Sequence, residues 1–368
     1  LTSIKFALLL GKSRILGYYR LDDLENEPLL DYKVLHETIK SRLAADKMTY
    51  IFLDEIQLCP NFQKAVDSLY NKKNTDIYIT GSNSDLLSGE LATLLSGRYI
   101  TIDMQPFSFQ EYLHERAEQS LSTDDIEQCY LDYVRYESLP FTVQLKNNER
   151  DINQYLNGVY NTILLKDISQ RHQINDLSVL ESVIRFMFAN TANICTSKKI
   201  SDTLTSGGRK VSQPTTENYM HYLEECFMVY KVGRYDIKGK ETLKTLEKYY
   251  AVDMGLRFFM LGARGGDEGH ILENLVFLEL KRRGYELYVG KADDMEIDFI
   301  AKRDGTEMYV QVALSVRDEA TLQRELRPLL SVKNSFKKVL ITLDNAPVLY
   351  HDGIKQLYAI DFFEGAEL

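Results

Sequence analysis

Three consecutive residues near the N-terminus have side chains that can bind a nucleoside triphosphate. Gly11, Lys12 and Ser13 follow one another in the order found at the end of a phosphate-binding loop. In such a loop the backbone amides face the phosphates, the lysine reaches the β- and γ-phosphates, and the hydroxyl is a ligand of Mg²⁺. The full pattern also has a glycine five residues before Gly11, where this chain has Phe6. The three residues alone are a weak signal, and a chance loop is the alternative interpretation.

Two carboxylates follow a strongly apolar run, residues 50–53, and form the second candidate element. The β-branched and aromatic residues of this run predict a buried strand that ends at Asp54 and Glu55. At the carboxyl edge of a parallel sheet, Asp54 can hold Mg²⁺ directly or through water, and Glu55 can orient an attacking water molecule. The alternative is a strand with a solvated acidic end.

Two further polar residues complete the candidate nucleotide site. Asn83 follows the predicted strand at residues 76–80 and therefore reaches the same edge of the sheet. Arg98 can place a guanidinium group where charge develops on the γ-phosphate, although a lone arginine is more often a surface residue. Because the four elements follow one another in the expected order, the sequence predicts a site for ATP and Mg²⁺.

The C-terminal half contains a second set of acidic residues in a pattern typical of nucleases. Glu273 lies on a predicted helix, Asp298 on the next strand but one, and Gln311 on the strand after it. A helical Glu, a strand Asp and a strand ending in (Asp/Glu)-x-Lys form the PD-(D/E)xK arrangement, whose carboxylates bind Mg²⁺ and whose lysine polarises water. Here the neutral Gln311 is a weaker ligand and Ala313 cannot replace the lysine. We expect a degenerate, nuclease-like fold used for binding or packing, without cleavage activity.

Residues 196–252 predict a winged helix: two short helices, a turn at Gly207 and Gly208, and a β-hairpin. Residues 196–240 carry a net charge of +3. Basic residues near the second helix suit phosphate contacts, so duplex DNA is a candidate partner. Winged helices also bind other proteins, and this alternative stays open. The basic residues that we expect to contact DNA are Lys198, Lys199, Arg209 and Lys210.

The elements that position these residues fall into four segments. Residues 1–115 alternate short apolar runs with helical segments, which predicts an α/β sheet with buried strands at residues 48–53, 76–80 and 99–104. The predicted fold class is α/β, with a P-loop NTPase core at residues 1–115, a helical lid at 116–195, a winged helix at 196–252 and a nuclease-like α/β domain at 253–368.

Composition and charge exclude several classes of protein. The hydrophobic fraction of 44% is typical of a globular chain, and the net charge of −10 argues against sequence-independent coating of nucleic acid. No apolar run approaches the 18 or so residues that a membrane helix needs, and we find no secretory signal. The four cysteines form no CxxC pair, which is typical of a reducing compartment. We therefore expect a cytoplasmic protein that does not bind membranes.

Long segments of the chain resemble a prokaryotic family of AAA-type ATPases that carry a C-terminal domain of unknown function. The resemblance covers nearly the whole chain. It implies that Asp54 and Glu55 are the Walker B pair, that Asn83 is a sensor of the γ-phosphate, and that Arg98 is an arginine finger acting in cis or on a neighbouring subunit. A homo-oligomer or a protein partner is therefore expected. The matching segments are residues 51–57, 79–84, 94–99, 154–156, 161–168, 234–240 and 269–274.

The N-terminus departs from the family pattern. The family has a glycine- and arginine-containing P-loop, a full helix and a strand before the segment that resembles residues 21–27. Here only residues 14–20 separate that segment from Ser13, whereas a P-loop helix needs about ten residues and a return to the next strand needs more. We expect that residues of the natural chain are missing from the sequence at this point.

Two functions follow from these patterns. The first is a Mg²⁺-dependent ATPase that couples hydrolysis to a conformational change in its C-terminal half. The alternative is a nucleic-acid-binding protein of defence or mobile elements, with a structural nucleotide site and a degenerate nuclease fold. An active nuclease would need a Mg²⁺ site despite Gln311 and Ala313.

Overall fold

The computed structural model describes residues 14–81, 97–136, 138–174, 176–239, 241–263 and 266–368. The chain divides into two compact units, Leu1–Asp103 and Met104–Leu368. Gly11, Lys12, Ser13 and Asn83, four of the predicted site residues, lie outside the described residues.

The N-terminal unit contains a three-stranded parallel sheet in the order β1-β2-β3. The apolar residues of the central strand and of the two helices form one buried core, which includes Ile51, Leu53, Leu35 and Leu69. In chain order the elements are β1 (Arg14–Arg20), α1 (Tyr32–Lys40), β2 (Thr49–Asp54), α2 (Phe62–Tyr70) and β3 (Thr75–Ile79), with 3₁₀ helices at Leu24–Leu30 and Ile56–Leu58.

Two of the three strands predicted for this unit are confirmed, and the third is wrong. Strands β2 and β3 match the bounds predicted at residues 48–53 and 76–80 within one residue. The predicted burial is confirmed for most of β2 but is wrong for β3, whose residues are all half-buried. Residues 99–104 are not a strand, and Ile100, Ile102 and Met104 are largely exposed. β-branched and apolar residues favour a strand only where a neighbouring strand and a covering layer are available. None of the described strands pairs with these residues.

The C-terminal unit begins with a helical region. Its helices are α3 (Phe109–Glu118), α4 (Ile126–Tyr136), α5 (Pro140–Gln144), α6 (Glu149–Thr162) and α7 (Leu177–Ala189), with a π-helical segment at Ile163–Gln170. Their buried faces contribute aromatic and aliphatic side chains such as Tyr112, Tyr133 and Ile184 to the largest core of the molecule. Side-chain caps fix several helix starts: Ser108 forms a capping box with Glu111, Asn148 accepts from the amide of Asp151, and Asp176 accepts from the amide of Val179.

A helix-turn-helix followed by a β-hairpin comes next, as the sequence predicts. The elements are α8 (Ser197–Ser206), α9 (Gln213–Glu225), β4 (Val229–Asp236) and β5 (Glu241–Ala251). The hairpin does not stand alone, because β4 also pairs in parallel with β6 (Glu286–Ala292). The hairpin is therefore the edge of a larger sheet, and a separate winged-helix domain stays a prediction.

The remaining elements complete a large sheet and the helices that cover it. They are α10 (Met254–Leu261), α11 (Glu268–Arg282), β7 (Met295–Arg303), β8 (Thr306–Ala313), α12 (Glu319–Ser331), β9 (Lys337–Thr342), β10 (Leu349–His351), β11 (Ile354–Tyr358) and α13 (Ala359–Phe363). The sheet has eight strands in the order β10-β11-β9-β8-β7-β6-β4-β5. Phe299 and Val310 on neighbouring strands share a core with the helix α11, whereas Ile300 and Tyr309 share a core with α12. The central strands are thus covered on both faces, which explains their nearly continuous apolar runs.

The mixed α/β class with a parallel sheet is therefore confirmed. Among the described helices none is both long enough and apolar enough to cross a membrane.

Candidate functional site

The carboxylate of Asp54 lies where the three strands of the N-terminal sheet end together. Its Oδ1 accepts a hydrogen bond from the Thr80 hydroxyl, and its Oδ2 accepts one from the Tyr18 hydroxyl. Tyr18 lies on β1, and Thr80 directly follows β3. The hydrogen bond to the Asp54 carboxylate, together with partial burial, raises the pKa of Tyr18 to about 12. Two hydroxyl donors therefore hold Asp54 in one orientation at the carboxyl edge of the sheet.

The backbone turns sharply immediately after Asp54. Glu55 has a left-handed conformation, with φ 56° and ψ 42°, which costs a residue other than glycine of order 1–3 kcal/mol. Two hydrogen bonds compensate locally: the amide of Ile56 donates to the Thr80 carbonyl at 3.1 Å, and the side-chain amide of Gln57 donates to Glu55 Oε2 at 2.5 Å. Such strained positions cluster at functional sites because the surroundings must hold them.

The described donors fit a magnesium ion. Mg²⁺ is bound in proteins by oxygen ligands, commonly one or two carboxylates together with phosphate oxygens and water. The Asp54 carboxylate and the Thr80 hydroxyl supply such oxygens at the edge of a parallel sheet, the usual place for a phosphate ligand in α/β folds.

The order of the sequence motifs identified Asp54 and Glu55. Thr80, Tyr18 and Gln57 were missed, although Thr80 lies directly before the glycine that precedes Ser82 and Asn83.

Arg98 lies away from this edge. Its guanidinium forms an ion pair with Asp67 on α2, at 2.9 Å, and stacks 5.4 Å from the ring centre of Tyr70. Helix α2 runs back from the carboxyl edge of the sheet towards the start of β3, so Asp67 and Tyr70 lie towards the opposite edge. The structure therefore brings Asp54 and Glu55 together but places Arg98 elsewhere. A role for Arg98 as a finger stays a prediction.

The three residues predicted to resemble a nuclease site do come together in the C-terminal unit. Glu273 comes from α11, Asp298 from β7 and Gln311 from β8, and all three are buried. The amide of Val312 donates to Asp298 Oδ2 at 2.8 Å, and the side chain of Gln311 donates to Glu325 on α12 at 3.0 Å. The order of elements in the sequence was thus a sufficient signal for this grouping.

A lysine that the sequence pattern did not indicate lies at the centre of this group. Lys248 on β5 is 4% exposed, and its Nζ is 3.0 Å from Glu273 Oε1 and 2.8 Å from Glu296 Oε1. The Tyr250 hydroxyl also donates to Glu273 Oε1, at 2.8 Å. Lys248, Glu273 and Asp298 are buried, whereas the Glu296 side chain at the rim is 31% exposed. We call these four residues the buried charge cluster. Lys248 directly precedes the buried run Tyr249, Tyr250 and Ala251, and this neighbourhood was the available signal for it.

Electrostatics within the buried charge cluster follow from burial and proximity. Burial, reinforced by the neighbouring Glu273 carboxylate, raises the pKa of Asp298 well above its ordinary value. Burial alone would lower the pKa of Lys248, but the carboxylates of Glu273, Asp298 and Glu296 together raise it above the ordinary lysine value. The ammonium form of Lys248 and the neutral form of Asp298 are both favoured. In the part of the chain that the structure describes, no three His, Cys, Asp or Glu side chains have a metal-binding arrangement.

The basic residues of the helix-turn-helix divide into two groups. Lys198 and Lys199 on α8 and Lys210 in the following turn are exposed. Arg209 is exposed too, but it donates to the carbonyl of Ser178 at 2.6 Å and to the hydroxyls of Ser178 and Ser182 at 2.5 and 2.6 Å, so it ties the turn to α7. Arg209 is thus held by contacts within the unit, and the three lysines are available to a partner.

Comparison with known proteins defines the class of the N-terminal unit. Residues 3–113 match the AAA domain family, and residues 128–267 match a domain of unknown function. The first match includes Asp54, Glu55 and Thr80, and it confirms the AAA-type domain that the motifs predict.

The family of the whole chain is given by its relatives. A Haemophilus influenzae protein described as uncharacterized is 39% identical over 346 residues, which are 94% of this chain and 85% of that protein. The chain belongs to the family of this protein. A protein of Methanocaldococcus jannaschii, also described as uncharacterized, is 28% identical over 323 residues, which are 83% of this chain and 70% of that protein.

Two solved structures overlap with the fold in part. A Walker-type ATPase of Pyrococcus abyssi superposes with a TM-score of 0.41 at 15% identity, covering 69% of this chain and 75% of that one. The Orc1 protein of Aeropyrum pernix in complex with DNA superposes with a TM-score of 0.28 at 12% identity, covering 71% of this chain and 81% of that one.

Proposed function

We propose that this protein is a Mg²⁺-dependent ATPase whose hydrolytic residues lie at the carboxyl edge of the N-terminal sheet. The observation that carries the proposal is the Asp54 carboxylate, held by Thr80 and Tyr18 and followed by the strained Glu55, within a segment that matches an AAA domain. When bound, Mg²⁺ neutralises phosphate charge and orients the triphosphate.

Each residue of the proposed site has a distinct role. Asp54 and Ser13 hold Mg²⁺, and Lys12 interacts with the β- and γ-phosphates, as in other P-loop enzymes. Glu55 positions the attacking water, and Asn83 senses the γ-phosphate. Arg98, whose contacts hold it on α2, acts on the nucleotide of a neighbouring subunit rather than of its own. Hydrolysis then drives a conformational change in the C-terminal unit.

Substitution of Glu55 tests this proposal. Glu55→Gln keeps the size of the side chain but removes the carboxylate, so ATP turnover is expected to fall about 100-fold or more while Mg-ATP binding persists. Glu37→Gln, on the exposed face of α1, is the matched control and should leave turnover unchanged. Equal turnover of Glu55→Gln and the wild type, or no binding of Mg-ATP by either, would reject the assignment.

Duplex DNA is a second candidate ligand, favoured by the three exposed lysines of the helix-turn-helix. Phosphate contacts by Lys198, Lys199 and Lys210 would make binding weaken steeply with salt. Replacing all three with alanine should reduce both the affinity and the salt dependence, whereas alanine at the exposed Lys33 and Lys40 of α1 should change neither. Wild-type protein that binds no duplex at low salt would reject this function and favour a protein partner.

We place the protein in a reducing compartment, the cytoplasm. Cys59, Cys129, Cys195 and Cys226 are all buried free thiols. Burial raises the pKa of three of them, Cys59, Cys195 and Cys226, to about 11, which keeps these thiols protonated and unreactive. Mass spectrometry of protein isolated under thiol-trapping conditions should find four reduced cysteines.

A further inference from the structure

The proposed ATP hydrolysis makes no use of the buried charge cluster, although its burial is costly. Carboxylates from α11 and β7 converge on the ammonium group of Lys248 from β5. A charged group removed from water is tolerated only when it is closely paired. Other buried positions on the same strand, such as Phe299 and Ile300, have apolar side chains. The charged residues of the cluster are therefore exceptions in this interior.

The position of the Lys248 ammonium group is defined by two short ion pairs. Nζ is 3.0 Å from Glu273 on the helix and 2.8 Å from Glu296 on the strand. These distances are typical of charge-assisted hydrogen bonds. The ammonium group therefore lies between the helix carboxylate and the strand carboxylate, where an ion bound by both would have to lie.

The charges of the cluster balance without a bound ion. Lys248 and Arg234, whose Nη2 is 3.9 Å from Glu296 Oε2, offset the carboxylates of Glu273 and Glu296. Asp298 favours its neutral form because of burial and the nearby Glu273. A divalent cation added beside Lys248 would leave an excess of buried positive charge, which is unfavourable.

We propose that Lys248 is the resident cation of the buried charge cluster, with its ammonium group in the position between Glu273 and Glu296 that a divalent cation would need. The wild-type cluster therefore takes up neither Mg²⁺ nor Mn²⁺, and removal of the ammonium group creates a divalent-cation site. The cluster joins β5, α11 and β7 permanently, and the C-terminal unit needs no metal for its structure. This proposal does not depend on ATP hydrolysis at the N-terminal unit.

The experiment uses the full chain and Mn²⁺ as the probe. All variants carry Asp54→Asn, so that the N-terminal carboxylate does not contribute to Mn²⁺ binding. Bound Mn²⁺ is counted by electron paramagnetic resonance, and the midpoint of thermal unfolding is measured with and without Mn²⁺. We expect that Lys248→Ala binds one Mn²⁺ and is stabilised by it, and that adding Glu273→Gln abolishes both effects.

A matched control is available on the neighbouring strand. Lys231 forms an ion pair with one glutamate, Glu247, at 2.8 Å, and its side chain is 42% exposed. Lys231→Ala should gain no Mn²⁺ site, because this ion pair is partly exposed and involves only one carboxylate.

Three outcomes would overturn the proposal. In the first, the Asp54→Asn parent, which keeps Lys248, binds Mn²⁺ and loses this binding on Glu273→Gln, because the cluster would then accept an ion beside Lys248. Another is a folded Lys248→Ala variant that binds no Mn²⁺. The third is failure of Lys248→Ala to fold even when Mn²⁺ is present, because the ion would then be unable to replace the ammonium group.

Discussion

The end of β2 and the buried charge cluster use the same kinds of side chain in opposite surroundings. Asp54 and Glu55 lie at the partly exposed edge of a sheet, and neutral hydroxyl and amide donors hold them. Glu273 and Asp298 are about nine-tenths buried, and the ammonium group of Lys248 lies among them. Carboxylates held by neutral donors keep their charge available to a cation from solution, whereas carboxylates paired internally do not. This difference separates a candidate catalytic site from an ionic element of the fold.

The largest expected effect concerns the stability of the buried charge cluster. Lys248→Met removes the ammonium group that pairs with the buried Glu273 carboxylate, so we expect the free energy of unfolding to fall by about 3–5 kcal/mol. Glu296 contributes less to this loss, because its side chain is 31% exposed and Arg234 stays nearby. Lys231→Met should cost less than about 1 kcal/mol, because the Lys231–Glu247 pair is partly exposed. Urea unfolding followed by circular dichroism compares the two variants. Equal losses would show that burial does not distinguish these two ion pairs.

A second prediction concerns a buried carboxyl group outside the cluster, Asp253 at the start of α10. Burial raises the pKa of Asp253 to about 6, although the amide of Leu256, which donates to it, acts in the opposite direction. Between about pH 4 and pH 6, Asp253 is therefore protonated in the folded protein but ionised in the unfolded chain. The contribution of Asp253 to the free energy of unfolding should fall as the pH rises from about 4 to about 6, by about 3 kcal/mol in total.

Asp253→Asn tests this pH dependence, because asparagine can still cap the helix but does not titrate. The fall in stability between pH 4 and 6 should be smaller in the variant than in the wild type. Asp318→Asn is the control: Asp318 caps α12 at the surface, and hydrogen bonds from Thr321 lower its pKa. Asp318 therefore stabilises the fold in its ionised form and loses this contribution as the pH falls. Asp318→Asn should make the protein lose less stability at acid pH than the wild type does. Parallel curves for the wild type and Asp253→Asn would contradict the assignment.

The sequence predicted the elements of both sites better than it predicted their partners. The order of motifs was enough to place Asp54 and Glu55 at the end of a strand, and to group Glu273, Asp298 and Gln311. Each of these residues occupies a position set by local periodicity and by the succession of strands and helices. Local patterns also explain why strands β2 and β3 were predicted nearly at their observed bounds.

The residues that the sequence did not predict depend on pairing between distant segments. Lys248 meets Glu273 only because the hairpin β4–β5 joins the large sheet through the parallel pair β4–β6, which no local pattern indicates. Thr80 and Tyr18 meet Asp54 because three parallel strands end together. Residues 99–104 have the composition of a strand but lack a partner among the described strands, so composition alone gave a wrong prediction.

The smallest expected effect separates positioning from catalysis at the end of β2. Gln57 donates to Glu55 Oε2 and lies in the 3₁₀ helix that follows the strained residue. We regard Gln57 as a positioning residue, which orients the carboxylate of Glu55 without contacting the nucleotide. Gln57→Leu removes one hydrogen bond to a charged group, worth about 1.5 kcal/mol, so the kcat for ATP should fall about tenfold.

The effect of Gln57→Leu should be confined to kcat, because Glu55 acts on water and the binding of Mg-ATP depends on other residues. Gln57→Glu places a second carboxylate beside Glu55, and its repulsion should raise the pKa of the pair and move the acid limb of the pH–rate profile to higher pH. A purely structural role for Gln57 would instead change stability and leave that limb in place. An unchanged kcat in Gln57→Leu would mean that the left-handed backbone of Glu55 is sufficient to orient its carboxylate. The hydrogen bond from Gln57 would then not be needed for catalysis at the end of β2.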